Sequence, residues 1–255
     1  MSDKINYKPH FESLFRTALS LVSEMCGTVS WEEKTWPITH GMLKAVCWRT
    51  RTIPKASLSL VCRERENESL YRIGLNMYAQ NHRVPDGSFS VLLSCQEEIS
   101  FIGGVIELFP ATRIDEDIEM FKNSMRAIAR EHGQDYEMFR EGLAGVFSLK
   151  GLDNTLGAEA GFNFYRAGLE ASPENLLFAE EAFLSSLDGF RTILQKENSE
   201  LSSADFTLKE KFWRLHLRYM REEDLGIKMS LEQGMPIDFF AFSAFPPVEE
   251  EEKGM

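Results

Sequence analysis

The sequence lacks the features that would place it in a membrane, a secretory pathway or an oxidising compartment. It has no apolar run of 18 or more residues, the length that a membrane-spanning helix needs. Its opening stretch, MSDKINYKPHF, has no apolar signal core. The cysteines are scattered without any CxxC pair: Cys26, Cys47, Cys62 and Cys95. We therefore expect a cytoplasmic protein, not bound to membranes, whose thiols are free and buried.

Recognisable motifs for cofactors and nucleophiles are also missing. The 5 histidines share no metal-ligand spacing, and no serine lies in a GxSxG turn. The glycines of GLDNTLGAEAGF match neither a phosphate-binding loop nor a dinucleotide fingerprint. We therefore expect no metal and no organic cofactor. From spacing alone, three side chains are candidates for proton transfer: Glu107, His82 and His216.

Positive charge is scarce. Lysine and arginine number 28 against 40 acidic residues, which gives a net charge of -12. This balance repels nucleic acid and anionic lipid, and it disfavours docking of an acidic electron donor such as a ferredoxin. Part of the surplus lies in residues 248–255, which we predict to be a disordered acidic tail. Residues 1–247 contain no repeat or linker, and we expect them to form one domain.

Apolar spacing predicts helices at the start and in the middle of the chain. A helix is expected from Pro9 to Cys26, closed by Gly27. Others are expected from Asp115 to Gly133 and from a Ser172 cap to Lys196. A shorter predicted helix carries three further apolar positions: Tyr136, Phe139 and Leu143.

Strands are predicted on either side of these helices. Period-two alternation indicates five strands between Met42 and Glu107. The same reading predicts three more near the C-terminus, in FWRLHLRYM, LGIKMSL and IDFFAFSA. The expected fold is therefore α+β: one antiparallel sheet with helices on both faces.

A polar sheet face follows from this alternation. In FWRLHLRYM, the residues Arg214, His216 and Arg218 would share one face, opposite the apolar positions. If helices cover that face, it lines a cleft for an anionic small molecule, because guanidinium groups suit carboxylates and phosphates. If the sheet is covered on one side only, the same residues simply meet solvent. Other strands offer matching polar positions: Arg72, Asn76, Tyr78 and Ser90.

The segment SFIGGVIELFPATR presents a carboxylate just after a pair of glycines. Gly103 and Gly104 remove side chains from a strand, so a flat ligand could approach the backbone there. Glu107 would then lie at the edge of the cleft as an acid-base group. The alternative is a solvated acid at a strand end, paired with Arg113.

The order of several segments between Thr35 and Pro247 resembles the oxygen-dependent coproporphyrinogen III oxidases. YAQNHRVPD is similar to that family's HPxNPxxPT, FIGGVIELFP to its FGGGxDLTP, and AREHGQDYEMF to its ACDxHGxDxYxxF. GAEAGFNFYRAGL, LHLRYMREEDLGI and PIDFFAFSAFPP resemble its RGxGGIFFDDL, FNLxYDRGTxFGL and RIESILMSLPP. The family's motif histidine falls on Tyr78, its aspartate on Glu107, its arginine on Arg221 and an asparagine on His216.

The resemblance implies an activity and a set of binding residues. Members of that family have a large, flat antiparallel sheet sandwiched between helices on both faces and are usually homodimers. They oxidatively decarboxylate propionate groups of a tetrapyrrole with molecular oxygen and without a cofactor. The departures at the motif positions point to a divergent relative, with a tetrapyrrole or another electron-rich carboxylated heteroaromatic as substrate. A non-catalytic tetrapyrrole- or anion-binding relative and another tetrapyrrole enzyme, such as a bilin reductase, remain alternatives. Residues expected to bind the substrate are Arg72, Asn76, Tyr78, Asn81, Ser90, Gly103, Gly104, Arg214, Arg218 and Arg221.

Overall fold

The computed structural model describes residues 6–27, 31–81, 84–96, 100–109, 115–133, 140–141, 160–163, 169–197, 204–222 and 224–248. Six long strands occur in the first half: β1 (Trp31–Ile38), β2 (Gly41–Trp48), β3 (Lys55–Glu64), β4 (Glu68–Tyr78), β5 (Asp86–Gln96) and β6 (Ser100–Phe109). Three short strands follow: β7 (Arg140–Glu141), β8 (Ala160–Asn163) and β9 (Leu169–Glu170). The helices are α1 (Lys8–Cys26), α2 (Asp115–Glu131), α3 (Pro173–Glu197), α4 (Ala204–Glu222), α5 (Leu225–Glu232) and α6 (Ile237–Ser243).

The strands form one antiparallel sheet in the order β1-β2-β3-β4-β5-β6-β8-β7, with β9 also paired to β6. Strands β1 to β6 are a meander, since each pairs with the next along the chain. Short hairpin connections allow such neighbours only in antiparallel pairing. The predicted α+β class and antiparallel sheet are therefore confirmed, as are all five predicted strands from β2 to β6.

Each face of the sheet carries its own hydrophobic cluster. Alternate residues of β3 to β6, such as Leu58, Leu75 and Val91, join α1, α2 and α3 in a large cluster. The opposite face of β2 and β3 joins α5 and α6 in a smaller cluster rich in phenylalanine. Because neighbouring strand residues face opposite ways, one run of sequence supplies both clusters.

Three of the predicted helices form close to the expected bounds. Helix α1 ends at Gly27, whose φ of 75° is one that glycine adopts without strain. Helix α3 begins after Ser172, whose Oγ accepts a hydrogen bond from the Asn175 amide at 3.2 Å. Helix α2 packs against α3 so closely that a Cβ on Gly189 would lie 2.8 Å from the ring of Phe121.

The three strands predicted near the C-terminus are wrong, because those segments form α4, α5 and α6. In α4 the buried residues Lys209, Trp213 and His216 recur at helical spacing, not at every second position. Ion pairs four residues apart, Arg214 with Glu210 and Arg218 with Glu222, line the helix exterior.

Helix α5 has a local start signal that the strand prediction overlooked. The Asp224 side chain accepts a hydrogen bond from the Ile227 amide at 2.9 Å and so caps the helix. Helix α6 begins after Pro236 and buries Phe239, Phe240 and Phe242. Adjacent buried phenylalanines fit a short helix and not a strand with alternating faces.

Other predictions concern strand β1, the short helix and the tail. Strand β1 was not predicted, since almost all of it is exposed at the sheet edge and no buried alternation marks it. The predicted helix carrying Tyr136, Phe139 and Leu143 falls mostly outside the described residues, although β7 occurs within its span. The acidic tail from residue 249 onward also lies outside them. Within the described segments, no helix is long and apolar enough to cross a membrane.

Candidate functional site

One face of the sheet carries rows of small and polar residues across β3 to β6. Ser57 pairs with Asn76, Asn76 with Ser88, and Ser88 with Glu107. Directly opposed residues lie on the same face, so this register builds one continuous cross-strand row. Only the backbone position of Glu107 is described, and it also lies opposite Gly161 of β8. This is the face opposite the large hydrophobic cluster.

The next rows of the same face contain several glycines and serines among apolar residues. Ser59 pairs with Gly74, and Gly74 with Ser90. One step further, Arg72 pairs with Leu92 and Leu92 with Gly103. A Cβ built on Gly74 would lie 3.3 Å from Ser59 Oγ and 3.9 Å from Arg72 Nε. The Arg72 guanidinium therefore reaches back over a stretch of sheet that has few side chains.

Helix α6 covers one end of this face with its C-terminal carbonyls. Lys55 Nζ donates to Ala241 O at 2.8 Å and to Phe245 O at 2.6 Å. The Asn76 amide donates to Ser243 O at 3.0 Å, and the Tyr78 hydroxyl donates to Ala244 O. The last carbonyls of a helix carry partial negative charge and have no partner within the helix, so a lysine is well suited to bind them.

A second buried polar cluster links α4 to the sheet through Asp86. One carboxylate oxygen accepts from Lys209 Nζ at 2.7 Å and from the Ala79 amide at 3.0 Å. The other accepts from Trp213 Nε1 at 2.7 Å. Lys209 also donates to Val84 O at 2.8 Å. The Lys209 side chain is about 99% buried and the Asp86 side chain about 98%, so the two form a fully buried ion pair.

Burial changes the protonation of several groups in this region. It raises the pKa of Asp86, although the Lys209 cation and the hydrogen bonds from Lys209, Trp213 and Ala79 act in the opposite direction. Burial lowers the pKa of Lys55 to about 8 and that of His216 to about 4. At neutral pH the His216 ring is therefore uncharged and is not a cation.

The structure brings some predicted site residues together on this face. Asn76, Tyr78 and Ser90 occupy it by register, together with exposed Arg72 and with Gly103. His216 of α4 is buried, and its ring centroid lies 6.4 Å from that of Tyr78. Asn81 is buried in the connection that follows β4, where its carbonyl accepts from the Val84 amide.

Other predicted site residues lie elsewhere. Gly104 occupies the opposite face, since neighbouring strand positions alternate. The predicted shared face of Arg214, His216 and Arg218 is wrong, because α4 is a helix and positions two apart lie on different sides of it. Arg218 is exposed and pairs with Glu222 at 3.0 Å, while Arg214 pairs with Glu210 at 2.7 Å.

Arg221 and His82 complete the predicted set. The Arg221 guanidinium carbon lies 5.2 Å from the centre of the Phe245 ring, which is a cation–π contact. This places Arg221 next to the segment that follows α6. His82 and the side chain of Glu107 fall outside the described residues, as does Arg113, the alternative partner of Glu107.

Sequence reasoning missed the buried charges of this face. Lys55, Asp86 and Lys209 are each at least 95% buried. One signal was available for Lys55, because it begins a strand whose other members are nearly all apolar or small. Lys209 and Trp213 share helical spacing with His216, a signal that a helical reading of the segment would have found.

No protein-family model matches the chain, and no curated protein matches it either. In the part of the chain that the structure describes, no group of three or more potential ligand side chains could hold a metal ion.

Proposed function

We propose that this chain is an oxygen-using, cofactor-independent oxidase or oxidative decarboxylase. Its substrate is a tetrapyrrole or another electron-rich, carboxylated heteroaromatic molecule. We further propose a divergent relative of the coproporphyrinogen oxidases, with a flat sheet between two helical layers and a two-fold homodimer in the cytoplasm. The motif resemblance supports this assignment, and the polar sheet face is a suitable place for such a ligand.

The observation that carries the proposal is the arrangement around Gly74. Small residues from four strands give a floor with few long side chains: Ser59, Gly74, Ser90 and Gly103. The Arg72 guanidinium reaches over this floor from one side, where it can bind a carboxylate with two hydrogen bonds. The row that ends at Glu107 borders the other side. A flat aromatic ring with carboxylate substituents matches such a floor beside a cation.

In the proposed reaction, the chain supplies binding and proton transfer while oxygen supplies the oxidising power. Glu107 accepts the pyrrole N–H proton, which makes the ring more electron-rich. Two electrons then pass to oxygen, and a propionate side chain loses carbon dioxide and one hydrogen to become a vinyl group. That hydrogen leaves as a proton; with the two electrons and one further proton from solvent it converts oxygen to hydrogen peroxide. Glu107 then returns its proton to the pyrrole nitrogen. The protein accelerates the reaction by holding the ring in a reactive orientation and by excluding water.

A second candidate function is a tetrapyrrole- or anion-binding protein without catalysis. The ion pairs on α4 favour it, since Arg214 and Arg218 are engaged by Glu210 and Glu222 of the same helix. The carboxylates of a coproporphyrin-like ligand would then be bound by Arg72 and by cations other than Arg214 and Arg218. This candidate predicts spectral binding without oxygen uptake.

One experiment separates these functions. Purified protein is mixed in turn with coproporphyrinogen, coproporphyrin and biliverdin, while absorbance, dissolved oxygen and product mass are followed. The oxidase proposal expects oxygen uptake and a mass loss of one or more carboxyl groups with coproporphyrinogen. Binding of coproporphyrin without oxygen uptake would favour the binding protein. Absence of both binding and turnover with all three compounds would contradict the tetrapyrrole assignment.

A further inference from the structure

Asp86 occupies a special position relative to Glu107. It lies two residues before Ser88 on β5, and Ser88 pairs directly with Glu107 of β6. Asp86 and Glu107 are therefore diagonal neighbours on the same face of the sheet, a separation of roughly 7–8 Å between backbone positions. Asp86 itself pairs with Phe109, at the end of β6.

Both oxygens of Asp86 are committed to groups outside its own strand. Lys209 and Trp213 of α4 donate to them at 2.7 Å each, and the Ala79 amide donates at 3.0 Å. A carboxylate with this many fixed donors holds its partners in one geometry, more strictly than an apolar contact would. One side chain thus joins β5, the segment after β4 and two positions of α4.

His216 lies one turn further along the same side of α4. From Lys209 to Trp213 to His216 the spacing is four residues and then three, which keeps all three on one side of the helix. The Tyr78 ring packs against both aromatic groups, with centroids 6.1 Å from Trp213 and 6.4 Å from His216. The orientation of His216 therefore follows from where Asp86 fixes α4.

We propose that Asp86 is a positioning residue: by holding Lys209 and Trp213 it sets the place of α4, and with it His216, beside the polar row that ends at Glu107. The proposal rests on the proposed function, since it names a residue that acts on the same site. Asp86 does not touch the substrate in this account. It acts through His216, one of the candidate proton-transfer groups, and misplacing such a group by about 1 Å can reduce a rate about 100-fold.

The test compares Asp86→Asn with the double variant Asp86→Asn/Lys209→Met. The single variant leaves a buried lysine without its carboxylate and should be less stable than wild type. The double variant removes both charges, and replacing a buried ion pair by neutral groups is often nearly neutral for stability. Stability should therefore recover in the double variant, while the Lys209 contact that holds α4 remains lost and the asparagine at position 86 keeps only one acceptor oxygen for Trp213 and Ala79.

A control removes a carboxylate from another ion pair of the sheet, in which the arginine is buried and the glutamate partly buried. Glu68 receives a hydrogen bond from Arg63 at 2.8 Å, and Arg63 is 94% buried. Arg63 lies six residues along β3 from Ser57, at the far end of the sheet face. Glu68→Gln should lower stability without altering α4. It corrects for effects that follow from lost stability alone.

Two readouts are needed. The first is hydrogen exchange of the α4 amides, which requires no ligand. We expect exchange in α4 to rise at least tenfold more than exchange in α6 for both Asp86 variants, whereas the Glu68→Gln control should change α4 and α6 equally. The second is turnover of coproporphyrinogen. We expect kcat to fall about 10–100-fold in both Asp86 variants while KM changes less than threefold.

The outcomes distinguish failure of this proposal from failure of the proposed function. If kcat recovers together with stability in the double variant, Asp86 has a structural role only and the proposal is overturned. Unchanged α4 exchange in Asp86→Asn would overturn it as well. If wild type neither binds nor turns over any tetrapyrrole, the proposed function fails, and α4 exchange alone decides whether Asp86 fixes α4.

Discussion

At the scale of single residues, burial decides which groups are charged. His216 is 93% buried, and burial lowers its pKa to about 4. Lys55 shows the same cause, with its pKa lowered to about 8. Both groups lie at the polar face of the sheet, where removal from water disfavours the charged form of an ionisable group. His216, one of the candidate proton-transfer groups, is therefore a neutral ring at pH 7.

Acid should destabilise the protein partly through His216. An unfolded histidine has a pKa of about 6.5, so between pH 6.5 and 4 the unfolded chain binds a proton that the folded chain does not. The stability due to a neutral His216 is complete above pH 6.5 and is lost as pH falls to 4. Over that range the loss is about 3 kcal/mol, at about 1.4 kcal/mol for each pH unit.

The measurement is urea unfolding of wild type and His216→Gln between pH 4 and 7.5. We expect the variant to lose less stability than wild type on acidification, because glutamine does not titrate. Equal pH dependence of the two proteins would mean that His216 is accessible to protons in the folded state.

At the scale of elements, α6 is held to the sheet by polar contacts to its last turn. Lys55→Met removes the donor to Ala241 O and Phe245 O and should cost about 1–3 kcal/mol of unfolding free energy. The matched control is Lys44→Met on β2, whose partly exposed pair with Glu33 contributes about 0–1 kcal/mol. Urea unfolding at pH 7 compares the two. Equal costs would show that the α6 carbonyls are satisfied without Lys55.

The same elements show what the sequence could and could not predict. Strands β2 to β6 were predictable because one of their faces is continuously apolar, as in Leu58, Leu60 and Cys62 of β3. The segment FWRLHLRYM satisfies period two and period 3.6 equally well over nine residues. Tertiary contacts of Trp213 and His216 select the helix, and those contacts are not visible in a short window.

The candidate site was predicted in part for the same reason. Arg72, Asn76, Tyr78 and Ser90 come from correctly predicted strands, so their common face followed from alternation. The positions in α4 were predicted with the period of a strand. Because the segment is a helix, their predicted common face is wrong. Asp86 lies within a turn signal, VPDGS, where an aspartate is ordinary, so nothing marked it as buried.

At the scale of the whole molecule, the sheet divides the core into two unequal clusters. The large one joins α1 and α3 to the sheet, and the smaller one joins α6. The last described residue, Val248, follows α6 and Phe245, which is buried in the smaller cluster. Among the described residues, the smaller cluster ends at Phe245, ahead of the four glutamates and one lysine of residues 249–255.

Removing residues 249–255 should therefore leave the fold unchanged. We expect the unfolding free energy to stay within about 0.5 kcal/mol of the full chain. Affinity for coproporphyrin should stay equal or rise slightly at low salt, since repulsion of an anion decreases. Urea unfolding and a Soret titration measure the two quantities. A loss of more than about 1 kcal/mol would assign the tail a structural role.

The central claim is that Glu107 transfers a proton in the oxygen-dependent oxidation of the substrate. The variant Glu107→Gln tests it most directly. Oxygen uptake and product mass are measured with coproporphyrinogen for wild type, Glu107→Gln and the Glu68→Gln control. We predict a fall in turnover of about 10²–10⁴-fold for Glu107→Gln only, with coproporphyrin affinity within about threefold of wild type in all three, as expected for a role confined to proton transfer. Wild-type turnover in Glu107→Gln would contradict the account and make Glu107 a solvated strand-end acid.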